Sequence, residues 1–283
     1  MSIAAMCVKN VRRRVNSFGT LCLPRWSLRL RHALLVSLAV LSLTVISLTS
    51  ITWETSTQAK LKRYSLFSEK TDGEGQLAST WYQENAEPAY TCVREERIGP
   101  QGDGGKWMCD PYGLRKEREC LVYSFGSNND FRWESTVQKI AKNCEIHVFD
   151  HTVEQSKAPH GIHFHGYGLT SYESGTLKTL RTIVSELNHE GRTLDVLKVD
   201  CEGCEWSTFR EWLTSAVYIN EVLVELHAGT QEPHTNPFAR QFMLEMYKNK
   251  MLIFHKEPNI RWSQGNKLCV EYSLKRMRGW GSV

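Results

Sequence analysis

The hydrophobic pattern along the chain changes its period from region to region. Ala33 to Ile51 (ALLVSLAVLSLTVISLTSI) is one run without a charge, and at ~1.5 Å per helical residue it is long enough to cross a hydrocarbon layer of ~30 Å. Residues 52–89 show no period and are rich in Ser, Thr, Glu and Lys, which predicts a stem. Residues 90–118 hold Cys92, Cys109 and the loop GPQGDGGK, and predict an irregular cap stapled by a disulfide. Beyond this point short apolar runs alternate with stretches at helical spacing. The predicted strands are Cys120–Gly126, Glu145–Asp150, Gly161–Leu169, Leu194–Asp200 and Ile219–His227, with Met251–Glu257 and Leu268–Arg276 closing the chain as a hairpin-like pair. The predicted helices are Arg132–Asn143, Leu177–His189, Glu205–Leu213 and Pro237–Lys250. Such alternation means βαβ units, an α/β fold and a mostly parallel sheet, whose ligands bind outside the carboxyl ends of the strands where the strand order reverses.

Charge adds a direction to the apolar run. The formal net charge over 283 residues is only +4, and Lys9, Arg12, Arg13, Arg14, Arg25, Arg29 and Arg31 precede the run, so a nucleic-acid surface is not implied. By the positive-inside rule this Arg-rich flank stays cytoplasmic and the rest is exported. The expected organisation is a basic tail at 1–32, a signal anchor at 33–51, a stem at 52–89 and a folded domain at 90–283. A cleaved signal peptide, which would release a secreted protein, is the competing reading. The long preceding tail and the length of the span favour the anchor.

Of nine cysteines, Cys7 and Cys22 fall on the cytoplasmic side. Cys92, Cys109, Cys120, Cys144, Cys201, Cys204 and Cys269 are left in an oxidising lumen, where most should pair and the odd count leaves at least one over. No Asn-x-Ser/Thr acceptor occurs.

The strand ends carry the candidate chemistry. After the first strand comes SFGSNNDF, Ser124 to Phe131, where Gly126 and small polar residues let backbone amides approach a ligand, although a plain strand-to-helix turn would look the same. Asp150 ends the second strand, placed either to accept hydrogen bonds from a ribose diol or to cap its turn. Asp200 ends the fourth strand, and Glu225 with His227 ends the fifth. Acids at several strand ends on one rim read as a site.

The stretch LKVDCEGCEW, Leu197 to Trp206, contains a C-x-x-C, but no second pair follows at zinc spacing, and its place late in a long chain does not suit a redox dithiol. It reads as a strand end, with Gly203 permitting the turn and Glu205 and Trp206 starting a helix. Cys201 and Cys204 either bridge locally or pair elsewhere. His160, His163 and His165 form H-x-x-H-x-H, but strand alternation splits the set, and no metal centre is read from them.

With LKVDCEGCE, VLVELH and HKEPN…CVEYSL, the chain resembles the class I S-adenosylmethionine-dependent methyltransferases, and more closely the FkbM-type and methyltransferase-like 24 families. The resemblance covers Cys120 to Arg276. It implies a Rossmann-like sheet of seven strands with the last reversed, S-adenosyl-L-methionine as cofactor, and cofactor contacts from Ser124, Gly126, Ser127, Asn128, Asp150, His151 and Asp200. It places Asp200 nearest the methyl centre, with Glu202 and His227 as candidate bases for an acceptor hydroxyl. A turn acid and a satisfied strand-end histidine remain the alternatives for those two. Together with a Golgi-type lumen this implies O-methylation of a glycan or small secreted acceptor, with the membrane met through 33–51. The rivals are a type II glycosyltransferase, whose Asp-x-Asp motif is absent, and a non-catalytic binding module on the same fold.

Overall fold

A computed structural model describes residues 36–44, 86–117, 119–154, 157–227, 236–259 and 269–277. The expected tail, both flanks of the apolar run and the stem up to residue 85 lie outside the described residues. Residues 36–44 are helical, and among the described residues no helix is long and apolar enough to cross a membrane.

Among the described residues the folded domain holds thirteen strands and four α-helices. A hairpin, β1 (Glu95–Ile98) and β2 (Lys106–Cys109), comes first, followed by a 3₁₀ turn at Pro111–Lys116. Next come β3 (Leu121–Phe125), α1 (Arg132–Ile140), β4 (Glu145–Phe149) and β5 (Ile162–His165). The two-residue strands β6 (Gly168–Leu169) and β7 (Leu177–Lys178) pair with each other and lead into α2 (Leu180–Glu186). Then follow β8 (Thr193–Leu194), β9 (Val196–Val199), α3 (Cys204–Thr214), β10 (Tyr218–Ile219) and β11 (Glu221–Leu226). The chain continues through α4 (Asn236–Lys248), β12 (Met251–Pro258) and β13 (Val270–Arg276).

Seven strands make one sheet in the order β12-β13-β11-β9-β3-β4-β5. From β5 to β11 neighbours are parallel, while β13 runs antiparallel to both β11 and β12. The expected seven-strand sheet with a reversed last strand is the one observed. The order reverses between β3 and β9, so the crevice there opens at the carboxyl ends of these strands.

Alternation splits each strand between two layers. Leu121, Tyr123, Phe125, Leu197, Val199, Val222, Val224 and Leu226 face one core with α2, α3 and α4. Val122, Ile146, Val148, Val196 and Leu223 face the other, under α1 and the hairpin residues Ile98 and Met108. On this second face β11 and β13 present Glu221, Glu225, Glu271 and Ser273, all buried. The hairpin covers them and bonds two of them through its backbone: Cys109 N donates to Glu221 Oε1 at 2.9 Å and Ser273 Oγ donates to the Trp107 carbonyl at 2.8 Å.

Several boundaries differ from expectation for local reasons. The 90–118 cap is an ordered hairpin, because the Arg97 guanidinium gathers the carbonyls of Pro100, Gly102 and Gly105 and so closes the loop that composition alone reads as irregular. Helix α2 starts late because Thr179 caps it, its Oγ1 accepting from Thr182 N at 3.1 Å. The expected third strand stops at His165. Disulfides join Cys92 to Cys109, Cys120 to Cys144 and Cys201 to Cys204, and Cys269 is the free thiol among the described residues. The cap staple and the odd thiol were both expected.

The Cys120–Cys144 bridge ties the start of β3 to that of β4 across 24 residues. Replacing both cysteines by alanine should lower unfolding free energy by about 2–4 kcal/mol, read as a lower urea midpoint with an unchanged far-ultraviolet spectrum. No shift in the midpoint would mean that the bridge is not formed in the folded protein.

Candidate functional site

The crevice at the order reversal is a cleft of about 970 Å³ whose lining includes Phe125, Gly126, Ser127, Asn128, Asp150, His151, Lys198, Asp200 and Glu202. That size suits a nucleotide-like cofactor. Gly126 has φ +81°, and a Cβ there would sit 1.7 Å from the Asp200 carbonyl oxygen, so only glycine lets the turn after β3 lie against the end of β9. Lys198 Nζ donates to the Gly126 carbonyl at 3.1 Å and holds the two together.

Asp150 organises the neighbouring turn. Its Oδ2 accepts from Ser127 N at 2.9 Å and Asn128 N at 2.7 Å, and its Oδ1 from Thr152 N at 2.9 Å and Thr152 Oγ1 at 2.6 Å. Burial pushes the carboxyl up, but these donors outweigh it and hold it below the usual range. Both oxygens are therefore already engaged by the chain, as the capping alternative has it, although Asp150 still lines the cleft.

Asp200 sits over a buried charge cluster. Lys106 reaches from β2, its Nζ 3.0 Å from Asp200 Oδ2 and 3.2 Å from Glu225 Oε2, and also bonds Glu271. The ammonium is 1% exposed. Burial pushes it down, but Asp200, Glu271 and Glu225 outweigh burial and hold it well above the ordinary lysine range. Burial likewise pushes Asp200 up, and Lys106, Lys198 and His227 together hold it well below the carboxylate range. Glu271 goes the other way: burial raises it well above its ordinary value. Its Oε2 takes no hydrogen bond from a donor among the described residues. Asn259 Nδ2 donates to the remaining Glu225 oxygen at 3.0 Å.

The turn after Asp200 is closed by the Cys201–Cys204 disulfide. Glu202 at φ +57° and Gly203 at φ +114° both take left-handed backbone, a conformation that costs a non-glycine residue about 1 kcal/mol or more and clusters at functional sites. It projects the Glu202 side chain, 79% exposed, at the cleft. Burial of its carboxyl, though partial, raises it above the usual range. Glu205, fully buried, accepts from Gly203 N at 3.0 Å and from His227 N at 2.8 Å, and bonds His227 Nδ1 at 2.9 Å.

Two expected site residues lie off the cleft lining. His227 does not line the cleft. Burial pushes its imidazole down, but the Glu205 hydrogen bond and the charges of Glu205, Asp200 and Glu225 raise it to about 10. Near neutrality it is a cation with Nε2 3.7 Å from Asp200 and 3.6 Å from Glu202, which suits holding carboxylates and not accepting a proton. Ser124 is buried, donates to Glu134 Oε1 at 2.6 Å and does not reach the cleft. Gly126, Ser127, Asn128, Asp150, His151, Asp200 and Glu202 do line it. Lys106, Lys198 and Glu271 were not anticipated. The signal for the first lay in Glu225 and Glu271, acids inside the otherwise apolar runs EVLVEL and VEYSL, which require a buried cation beside them.

A family model described as a methyltransferase domain matches residues 47–275. A search of curated proteins found no match. Among solved structures, the Methanococcus jannaschii fibrillarin pre-rRNA processing protein is similar at 10% identity and a TM-score of 0.37, covering 66% of this chain and 85% of its own. The N-methyltransferase NodS from Bradyrhizobium japonicum WM9 is similar at 8% identity and 0.33, covering 58% and 90%. The Burkholderia thailandensis 1,6-didemethyltoxoflavin-N1-methyltransferase, solved with S-adenosylhomocysteine, is similar at 11% and 0.34, covering 59% and 75%. Likeness this distant carries no weight for the chemistry.

His227 gives the site a pH signature. Its folded value, about 10, lies above the ordinary histidine value of 6.5, so its stabilising contribution is complete below pH 6.5 and is lost as pH rises towards 10. The urea midpoint of the wild-type protein should therefore fall between pH 6.5 and 10 more steeply than that of His227→Gln. Parallel profiles would show that His227 is not a buried cation.

Proposed function

The chain belongs to the methyltransferase-domain family that its sequence matches over residues 47–275, and we propose that it carries a methyl group from S-adenosylmethionine to a hydroxyl of a glycan or small secreted acceptor in the secretory lumen. Within that family, LKVDCEGCE supports a reading as a member of the FkbM-type and methyltransferase-like 24 branch. The observation that carries the reading is one cleft at the strand-order reversal which gathers the Gly126 turn, Asp150, Asp200 and Glu202.

The residues present suit this cofactor. Asp103, Asp130, Asp150, Asp200 and Glu202 line the cleft and favour a cationic ligand, Phe125, Phe149, Leu169 and Trp206 supply apolar walls, and Lys198 and Arg132 are cations for a carboxylate. When bound, the cofactor supplies an activated methyl on a positively charged sulfur. The chain's own part is to position and to manage one proton. Lys106 and His227 keep Asp200 ionised beside the reaction centre. Asp150 stiffens the turn beneath the cofactor. Glu202, exposed to the cleft with a raised carboxyl, takes the acceptor's hydroxyl proton in place of His227. Aligning the acceptor with the transferred methyl supplies up to ~7–11 kcal/mol in well-oriented systems.

The luminal part of the proposal draws on two features. Three disulfides among the described residues suit an oxidising compartment. The Arg-rich flank and the uncharged run at 33–51 suit a type II signal anchor.

Calorimetric titration of the purified protein with S-adenosylmethionine should show saturable binding. Asp150→Ala should weaken it by about 1.5–3 kcal/mol, because the turn loses its charge-assisted bonds. Once an acceptor is found, Asp200→Asn should sharply reduce transfer in a folded protein, whereas Cys201→Ser with Cys204→Ser should cost mainly stability. A protein that binds no S-adenosylmethionine, or an active Asp200→Asn beside an inactive, stable double cysteine variant, would overturn the reading.

A further inference from the structure

Four groups of side chains among the described residues bring potential metal-ligand atoms within 4.8 Å of one another. Three are already engaged. Asp200, Glu225 and Glu271 surround the Lys106 ammonium, Cys201 and Cys204 are oxidised to a disulfide beside Glu205, and in the group of Glu225, His227 and Cys269 the His227 ring bonds Glu205. The fourth, Glu145, His147 and His189, lies away from the cleft. Glu145 opens β4 while Phe149 at the other end lines the cleft, a separation of roughly 13 Å at ~3.3 Å per residue.

Its geometry is convergent. His147 Nε2 lies 2.9 Å and His189 Nε2 3.2 Å from the same oxygen, Glu145 Oε1. Ligand atoms around a tetrahedral zinc, each ~2.0–2.2 Å from the ion, are separated by similar distances. We propose that Glu145, His147 and His189 form a site for a divalent cation of the zinc class, with its remaining coordination position open to solvent beside the partly exposed Glu145. Two nitrogens and one oxygen suit zinc or its transition-metal neighbours and do not suit calcium or magnesium, which prefer oxygen alone.

The surroundings of the three ligands support this assignment. A metal-bound histidine needs a partner for its other ring nitrogen, to fix tautomer and orientation. His147 Nδ1 is 2.9 Å from His165 Nε2 and His189 Nδ1 is 2.6 Å from the Tyr123 hydroxyl. Both partners can accept, so each ligand histidine can move its proton to Nδ1 and free Nε2 for the ion. Arg192 Nη1 donates to Glu145 Oε2 at 2.7 Å and leaves Oε1 to face the histidines. A bound ion would tie the segment after α2 to the start of β4, a structural role separate from the cleft.

The test is calorimetric titration of chelator-treated, purified protein with Zn²⁺, with Co²⁺ absorption as a check of the donor set. The expected result is saturable binding of one ion per chain. Tyr123→Phe, which keeps the ring and its packing, should weaken it about 10- to 100-fold, and Glu145→Gln and His189→Gln at least as much, while Asp200→Asn leaves it unchanged. Circular dichroism confirms folding. Glu145, at the surface, carries the result if His189→Gln does not fold. Absence of saturable binding, binding that survives Glu145→Gln, or binding lost instead in Asp200→Asn would overturn the proposal.

Discussion

A single ammonium group, Lys106 Nζ, lies among Asp200, Glu225 and Glu271 with almost no access to water. Three acids on adjacent strands of one buried face would repel one another and could not all stay ionised there. The lysine changes that balance. It holds the Asp200 carboxyl at the edge of the cleft well below the usual carboxylate range, while burial raises that of Glu271. Removing one partner from such a buried cluster typically costs about 3–5 kcal/mol, since the remaining charges lose their compensation.

This requirement explains why the chain carries a hairpin ahead of its α/β sheet. The second face of β11 and β13 is polar, with Glu221, Glu225, Glu271 and Ser273 buried on it. The β1–β2 hairpin closes that face and delivers Lys106, with Glu221 and Ser273 bonded to its backbone and Trp107 Nε1 donating to Glu257 at 3.1 Å. The region that composition reads as a cap is thereby part of the site. His227 repeats the device on the other side of Asp200: a buried cation, anchored by Glu205, facing Asp200 and Glu202.

The sheet was legible in the sequence because its strands are short apolar runs ending in acids, and hydrophobic period records burial directly. All seven expected strands of the main sheet are present, and the reversed last strand follows from the family resemblance. The cleft-lining Gly126 turn, Asp150, Asp200 and Glu202 were legible because a strand end in a parallel sheet points to the crevice. What was not legible depends on pairing across long separations. Lys106 and Asp200 are 94 residues apart, and nothing local to KWMC announces a buried lysine. His227 looked like a base because its residue type titrates near neutrality. Its environment, Glu205 above all, makes it a cation. Ser124 sits one residue before the end of its strand, where alternation turns it away from the cleft.

The central claim is that Lys106 makes an ionised Asp200 tolerable. The most direct measurement is the unfolding free energy of Lys106→Met beside the wild-type protein between pH 4.5 and 8. In the variant the acids have raised values in the folded state, so stability falls as pH rises. In the wild-type protein the depressed Asp200 contributes stability above the ordinary carboxylate range and loses it as pH falls. The account predicts a deficit of about 3–5 kcal/mol near neutrality that narrows as pH falls towards 4.5. A small deficit, or one that is the same at every pH, would contradict it.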